Sequence, residues 1–185
     1  LGALRCEVAK KLDIIPKDRY DFLWITEFPF FDWDEDAQQF VAMHHPFTAP
    51  MDEYLDTLES DKANVKAKAY DLVLNGTELS SGSIRITDYE LQQKMFESLG
   101  MSDEEIEAKF GFLVDAYRYA APPHGGMGIG LDRISMIMCG AESLRDVVAF
   151  PKVQNASELM SECPSVVDEK QLDELSIAIK DVKEN

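Results

Sequence analysis

The stretch Gly125-Gly126-Met127-Gly128-Ile129-Gly130-Leu131-Asp132-Arg133 decides how the rest of the chain is interpreted. Its glycines allow backbone N–H groups to approach a ligand closely, and the apolar run at 134–138 predicts a helix directly after it. A helix N-terminus favours an anion because its first N–H groups have no partner within the helix. Arg133 would lie in the first turn, with a planar guanidinium suited to phosphate or to a flat ring. Two alternatives stay open: a phosphate-binding turn, or a tight turn into a buried helix.

Composition limits the class of protein. The chain has 185 residues, of which 45% are hydrophobic, so it can bury a real core as one domain or as one domain with a fragment. No run approaches the ~18 apolar residues that span a bilayer, and we expect no membrane association. The net charge of −17 argues against a nucleic-acid surface over the whole protein, but leaves a local basic site open.

The three cysteines, Cys6, Cys139 and Cys163, are too scattered for a disulfide framework or a cysteine-rich zinc site. We therefore expect buried or idle thiols in a reducing, cytoplasmic compartment. The first residue is Leu1, which suggests that the sequence is a piece of a longer chain, with processing as the alternative explanation.

A hairpin gives the most useful geometry. Asn75-Gly76 lies between two strand-like segments and is the strongest short hairpin signal. A two-residue turn there pairs Val73 with Glu78, so that Asp71 shares a face with Glu78 at a diagonal Cα separation of ~7–8 Å. Two carboxylates at this spacing could bind a hard divalent cation. The alternative is an acidic, solvated sheet face.

Two basic features follow predicted strands. His44 and His45 come at the end of a strand predicted at about 39–43, and adjacent strand residues point to opposite faces, so only one is expected to face a ligand. A structural role is the alternative, and no third ligand lies at metal spacing. Arg85 lies between two isoleucines of another predicted strand. It is either a surface residue or a charge that could bind a carboxylate through two hydrogen bonds.

Other elements follow from periodicity and turn residues. Residues 22–31 predict one strand, 32–36 a hairpin tip, and 80–82 a small-residue loop. Capping-box patterns that begin at Thr87 and Ser102 predict two helices with apolar inner faces.

The motifs occur in an order that is similar to a known family. They are Met43-His44-His45-Pro46-Phe47-Thr48, Tyr70-Asp71 with Asn75-Gly76-Thr77-Glu78, Gly82-Ser83-Ile84-Arg85-Ile86, Pro122-Pro123-His124-Gly125-Gly126 continuing to Gly130-Leu131-Asp132-Arg133, and Arg145-Asp146 to Phe150-Pro151-Lys152. The series resembles the C-terminal half of the catalytic domain of bacterial-type aspartyl-tRNA synthetases, which are class II aminoacyl-tRNA synthetases. The glycine-to-arginine stretch marks class II, and the His-His-Pro-Phe-Thr and Gly-Ser-Ile-Arg segments narrow it to the aspartyl enzymes.

The resemblance implies an α+β fold, the antiparallel sheet of the class II catalytic core flanked by helices. It assigns 1–20 to the end of an insertion domain and a connector, and 21–185 to the C-terminal half of the catalytic domain. The anticodon-binding barrel and the first two class II motifs of the family would lie outside this sequence, so we expect the fragment alone to be inactive.

The resemblance also implies residue roles. His44 corresponds to a histidine that contacts the aspartate substrate, and Arg85 to the arginine that holds the aspartate side-chain carboxylate. Glu78 corresponds to a catalytic residue that contacts ATP through Mg²⁺, with Asp71 as its partner on the metal. The segment Gly130-Leu131-Asp132-Arg133 corresponds to the third class II motif, in which the catalytic arginine meets the adenine and γ-phosphate of ATP.

The implied activity is ATP-dependent activation of L-aspartate and its transfer to tRNA(Asp), with tRNA(Asn) left open, by a homodimeric full-length enzyme. Two alternatives remain: a catalytically silent synthetase-like module that binds an amino acid or nucleotide, and a synthetase of the asparaginyl or lysyl type. The presence of Asp71, Glu78, Arg85 and Arg133 disfavours the first, and the His-His-Pro-Phe-Thr segment disfavours the second.

Overall fold

The computed structural model describes residues 1–16 and 18–180. The chain forms two compact units, Leu1–Gly130 and Leu131–Asn185. The sequence did not indicate this division, and the domain boundary expected near residue 20 stays a prediction.

The first unit is built on a four-stranded antiparallel sheet. Its elements in chain order are helix α1 (Gly2–Lys11), strands β1 (Phe22–Thr26), β2 (Phe31–Asp34), β3 (Gln39–Ala42), β4 (Ala69–Leu74) and β5 (Thr77–Ile84), helices α2 (Tyr89–Ser98) and α3 (Asp103–Arg118), and strand β6 (Gly125–Ile129). The large sheet has the order β1-β4-β5-β6, and β2 pairs with β3 in a separate hairpin. This arrangement confirms the predicted α+β class.

The predicted hairpin is present, with Leu74 opposite Thr77 and Val73 opposite Glu78. A bulge follows on β5, because Leu72 pairs with Ser80 rather than with Leu79. The loop predicted at 80–82 is wrong: these small residues continue β5, where they pair with β4 and β6 at the same time. Small residues suit a strand that two neighbours approach closely.

The segment at 22–31 is not one strand. β1 ends at Thr26, and a new strand begins at Phe31, so Asp32 to Asp34 belong to β2 and the hairpin tip lies at 35–38. Glu27 has a φ of 60° and marks the break between the two strands. Aromatic and β-branched composition indicates strand but does not show where the chain changes direction.

Helices α2 and α3 cover the core. Met95 and Phe96 on α2 and Ile106 on α3 are at most 2% exposed. The cap of α2 is Asp88, whose side chain accepts from the Leu91 N–H, rather than the predicted Thr87. The predicted capping box at Ser102 is present.

The second unit contains helices α4 (Leu131–Met138) and α5 (Glu169–Glu174), with a short 3₁₀ turn at Leu144–Asp146. Cys6 of the first unit and Cys139 and Cys163 of the second are free and exposed, so of the expected buried or idle thiols the buried alternative is wrong. No described helix combines the length and the apolar character needed to cross a bilayer.

Candidate functional site

An open, polar cavity of about 350 Å³ lies beside the end of β5 in the first unit. It is lined by His44, His45, Thr48, Ala69, Ser81, Gly82, Ser83 and Arg85. These residues come from the segment after β3, from the start of β4, and from the second half of β5 with Arg85 directly after it. The antiparallel sheet therefore brings together two motifs that lie about forty residues apart in the sequence.

The histidine turn, which we define as residues 44–48, follows β3 and closes with a hydrogen bond from the Thr48 N–H to the His45 carbonyl (3.2 Å). Pro46 occupies the second position of the hydrogen-bonded part, residues 45–48, which its fixed φ favours. The Phe47 ring packs edge-on against Phe96 and Phe110, with centroids 6.1 and 5.4 Å away. The aromatic cluster thus fixes the turn to helices α2 and α3.

Thr48 connects the turn to the sheet. It forms a β-bridge with Arg85, and its hydroxyl donates to the Ser83 Oγ at 3.4 Å. The same hydroxyl lies 3.3 Å from the His45 Nδ1. Thr48 and Ser83 are 1% and 3% exposed, so these contacts are shielded from water. They hold His45 and Arg85 at one side of the cavity.

Arg85 is the cation of the cavity. One of its guanidinium nitrogens lies 3.0 Å from the His45 Nδ1 and also contacts the Nε2. Because a guanidinium can only donate, it favours a neutral imidazole. The pKa of His45 is lowered from its usual range, first by burial and then by the charges of Arg85 and His44. Within 1–16 and 18–180, no carboxylate pairs with Arg85, so an anion in the cavity would meet an uncompensated positive charge.

That only one histidine faces a ligand stays a prediction, but its premise of strand alternation is wrong. β3 ends at Ala42, so strand alternation does not apply to residues 44 and 45, and both line the cavity. The His44 ring packs edge-on against Phe28 with centroids 5.2 Å apart, whereas His45 contacts Arg85. The substrate contact assigned to His44 stays a prediction.

The packing around Gly82 shows why β5 has small residues at 80–82. A Cβ at this position would lie 2.1 Å from the Gly126 carbonyl oxygen and 2.9 Å from the Tyr70 ring. Sequence reasoning missed Thr48, Ser81 and Ser83 as cavity residues. Ser81 lies in the segment at 80–82, for which a loop was predicted, and Thr48 and Ser83 meet only in the folded chain. The segment at 80–82 has no charged residue although it follows a predicted hairpin, and this feature could have indicated that the strand continues.

The acidic pair lies on neighbouring strands. Glu78 opposes Val73, and Asp71, two residues before Val73 in β4, opposes Ser81. The extra residue of the bulge belongs to β5, so the alternation of β4 is kept and the register leaves both acids on one face. No set of three or more metal-ligating side chains occurs in the described part of the chain. Mg²⁺ commonly uses one or two carboxylates together with substrate phosphates and water, so this pair fits Mg²⁺ only with a nucleotide.

Most of the glycine-to-arginine stretch is a strand rather than a turn, and it leads directly into a helix. Gly125–Ile129 is strand β6, antiparallel to β5, and the Gly130 N–H donates to the Leu79 carbonyl at 2.8 Å. In the second unit, Leu131, Asp132 and Arg133 form the first turn of α4, as predicted for Arg133. The role of Gly130 to Arg133 at a nucleotide stays a prediction.

Comparison with protein families decides the classification. The model of the family described as tRNA synthetases class II (D, K and N) matches residues 3–154. The chain belongs to this family.

The names of two relatives and of one solved structure agree with the assignment of this chain to the class II tRNA synthetases. It is 59% identical over 179 residues to an aspartate–tRNA ligase of Ruminiclostridium cellulolyticum, covering 97% of this chain and 30% of the relative. It is 56% identical, with the same coverage, to an aspartate–tRNA(Asp/Asn) ligase of Caldanaerobacter subterraneus. The solved aspartyl-tRNA synthetase of Entamoeba histolytica is 26% identical with a TM-score of 0.54, over 80% of this chain and 25% of that one. The chain therefore spans about a third of the length of its curated relatives.

Proposed function

We propose that this chain supplies the aspartate-binding pocket and part of the ATP site of an aspartate–tRNA ligase. The observation that carries the proposal is Arg85, a half-buried cation with no carboxylate partner among the described residues, in a cavity lined by hydroxyls and histidines. A guanidinium in this position suits the side-chain carboxylate of aspartate. The names of relatives with 59% and 56% identity support the same substrate.

In the proposed reaction, a carboxylate oxygen of aspartate attacks the α-phosphorus of ATP, and pyrophosphate leaves. A ribose hydroxyl of the tRNA then attacks the carbonyl carbon of the aspartyl-adenylate, and AMP leaves. Both steps depend on positioning and on charge neutralisation. Arg85 would orient aspartate by its side chain, which leaves the α-carboxylate free to react.

The nucleotide end of the site rests on the family resemblance. Asp71 and Glu78 would hold Mg²⁺, which neutralises phosphate charge when it is bound. Gly130, Leu131 and Asp132 would shape the adenine-binding segment, and Arg133 would contact the adenine ring and the γ-phosphate. The complete enzyme would act in the cytoplasm as a homodimer with tRNA(Asp) as its acceptor. Whether tRNA(Asn) is a second acceptor stays open, since one relative is named for aspartate–tRNA alone and another for both tRNAs.

The test is ATP–pyrophosphate exchange by the full-length gene product with L-aspartate, L-asparagine and L-lysine in parallel. Exchange with aspartate alone is the expected result. Exchange with asparagine or lysine instead would identify a different member of the family, and no exchange with any of them would favour the silent binding module. Charging of tRNA(Asp) and tRNA(Asn) transcripts by the same preparation then separates the two acceptors.

A further inference from the structure

Gln92 is a buried polar residue that the proposed reaction does not use. It lies on α2, in the turn after the Asp88 cap, and is 0% exposed. Its Nε2 donates to the Pro46 carbonyl at 2.9 Å, and its Oε1 has no hydrogen-bond partner among the described residues. The orientation of the amide is fixed by chemistry, since a carbonyl only accepts and its partner must be the nitrogen.

The unpaired Oε1 makes the burial of Gln92 energetically costly. Burying an amide oxygen without a donor is unfavourable, and an apolar side chain of the same length would avoid that cost. What the glutamine provides and an apolar residue cannot is the hydrogen bond to Pro46. Gln92 therefore contributes to the protein through the histidine turn, to which this hydrogen bond is made.

The Pro46 carbonyl is a sensitive point in that turn. Residues 45–48 form a four-residue turn with Pro46 and Phe47 at its centre, and the main turn types differ in the orientation of the central peptide. A donor directed at the Pro46 carbonyl selects one orientation. The same hydrogen bond ties the residue next to His45 to helix α2, and His45 contacts Arg85.

We propose that Gln92 is a positioning residue for the cavity: by holding the Pro46 carbonyl it keeps the histidine turn in the conformation that places His45 against Arg85. The inference rests on the proposed function only where aspartate binding is concerned. The placement of His45 is independent of the substrate.

The test compares Gln92→Met with wild type in the full-length gene product. Methionine keeps the length of the side chain, removes the donor and also removes the unpaired oxygen. We expect the KM for aspartate in pyrophosphate exchange to rise about tenfold, below the ~10²-fold cost of a full ångström of misplacement, and the KM for ATP to stay close to wild type. In NMR of histidine-labelled protein, the pKa of His45 should move up toward its usual range as the ring leaves Arg85 and meets water.

Gln93→Met is the matched control, because Gln93 lies on the same helix but its side chain donates to Glu97 and Asp103 rather than to the histidine turn. It should leave both the His45 titration and the KM for aspartate unchanged. The His45 resonance is assigned by its loss in His45→Gln. If Gln92→Met does not fold, Gln92→Glu replaces it, assayed above the pKa of the new carboxyl group, where the side chain keeps its size but cannot donate.

A lowered melting temperature with an unchanged His45 titration and an unchanged KM for aspartate would overturn the proposal, since Gln92 would then only pack. If wild type shows no aspartate-dependent exchange, the proposed function fails, and the titration of His45 still decides the role of Gln92.

Discussion

The histidine turn and strand β6 both pack beside β5, but they are held there by different means. The turn is held by side chains. Phe47 packs against Phe96, the Thr48 hydroxyl donates to Ser83, and the Gln92 amide donates to the Pro46 carbonyl. β6 is held by its backbone pairing with β5. Its close approach depends on the missing side chain of Gly82. Deleting a side chain should therefore disturb the turn, and adding one should disturb the strand.

The largest effect is expected for Gly82→Ala. The new Cβ would meet the Gly126 oxygen at 2.1 Å and the Met127 Cα at 2.9 Å, and backbone atoms cannot yield as a flexible side chain can. We expect the free energy of unfolding to fall by about 3 kcal/mol, at the upper end of overpacking costs. The measurement is the urea midpoint of the full-length gene product.

Gly126→Ala is the control for this clash, since a Cβ there would have no atom within 4 Å. It should cost far less than Gly82→Ala. Equal losses in the two variants would mean that β6 does not depend on close approach at Gly82.

The next effect is on binding. Arg85→Gln removes the charge of the cavity, and hydrogen bonds to charged groups contribute about 1.5–3 kcal/mol, so we expect aspartate affinity to fall about 10- to 100-fold. Arg85→Lys keeps the charge but loses the planar fork, and should recover only part of the affinity. Aspartate and ATP affinities of the full-length protein are measured separately by calorimetry. Unchanged aspartate affinity with weakened ATP binding would contradict the assignment.

A smaller effect is expected for Thr48→Val, which keeps the shape of the side chain and removes the hydroxyl bound to Ser83. The buried Ser83 oxygen loses its partner, and we expect a loss of about 1 kcal/mol in the free energy of unfolding. Thr48→Val combined with Ser83→Ala removes both partners and should be more stable than Thr48→Val alone. Additive losses in the double variant would show that the two hydroxyls do not interact.

The sequence was most informative where one local rule applies. Asn75-Gly76 fixed the turn and the pairing of Val73 with Glu78. Ser102 and Glu105 fixed the start of α3. Arg133 lies in the first helical turn, as the apolar run after it predicted. Each of these rules needs only a few neighbouring residues.

The errors lie where distant segments decide the outcome. The strand character of Ser80 to Gly82 and of Gly125 to Ile129 comes from their pairing with each other, which neither segment indicates alone. The two histidines share a cavity because β3 ends before them. His45, Arg85 and Gln92 come together only when the helices pack, and no spacing in the sequence predicts these contacts.

The smallest expected effect is a pH dependence of the folding stability, which His45 gives to the histidine turn and which strand β6 lacks. The pKa of His45 is lowered by burial, by Arg85 and by His44, so the unfolded chain binds a proton more readily than the folded protein. The stability that the neutral imidazole contributes is present above the usual histidine pKa. It is lost as the pH falls through that value toward the lowered one. Strand β6 carries no titratable side chain.

The check is a series of urea midpoints across this pH window for wild type, His45→Gln and Gly82→Ala. The difference between wild type and His45→Gln should shrink as the pH falls, because the protonated ring is then unfavourable beside Arg85. The difference between wild type and Gly82→Ala should stay constant, since a steric clash involves no proton. A constant difference for His45→Gln would show that the ring is not held against Arg85, and the contrast between the two regions would then rest on packing alone.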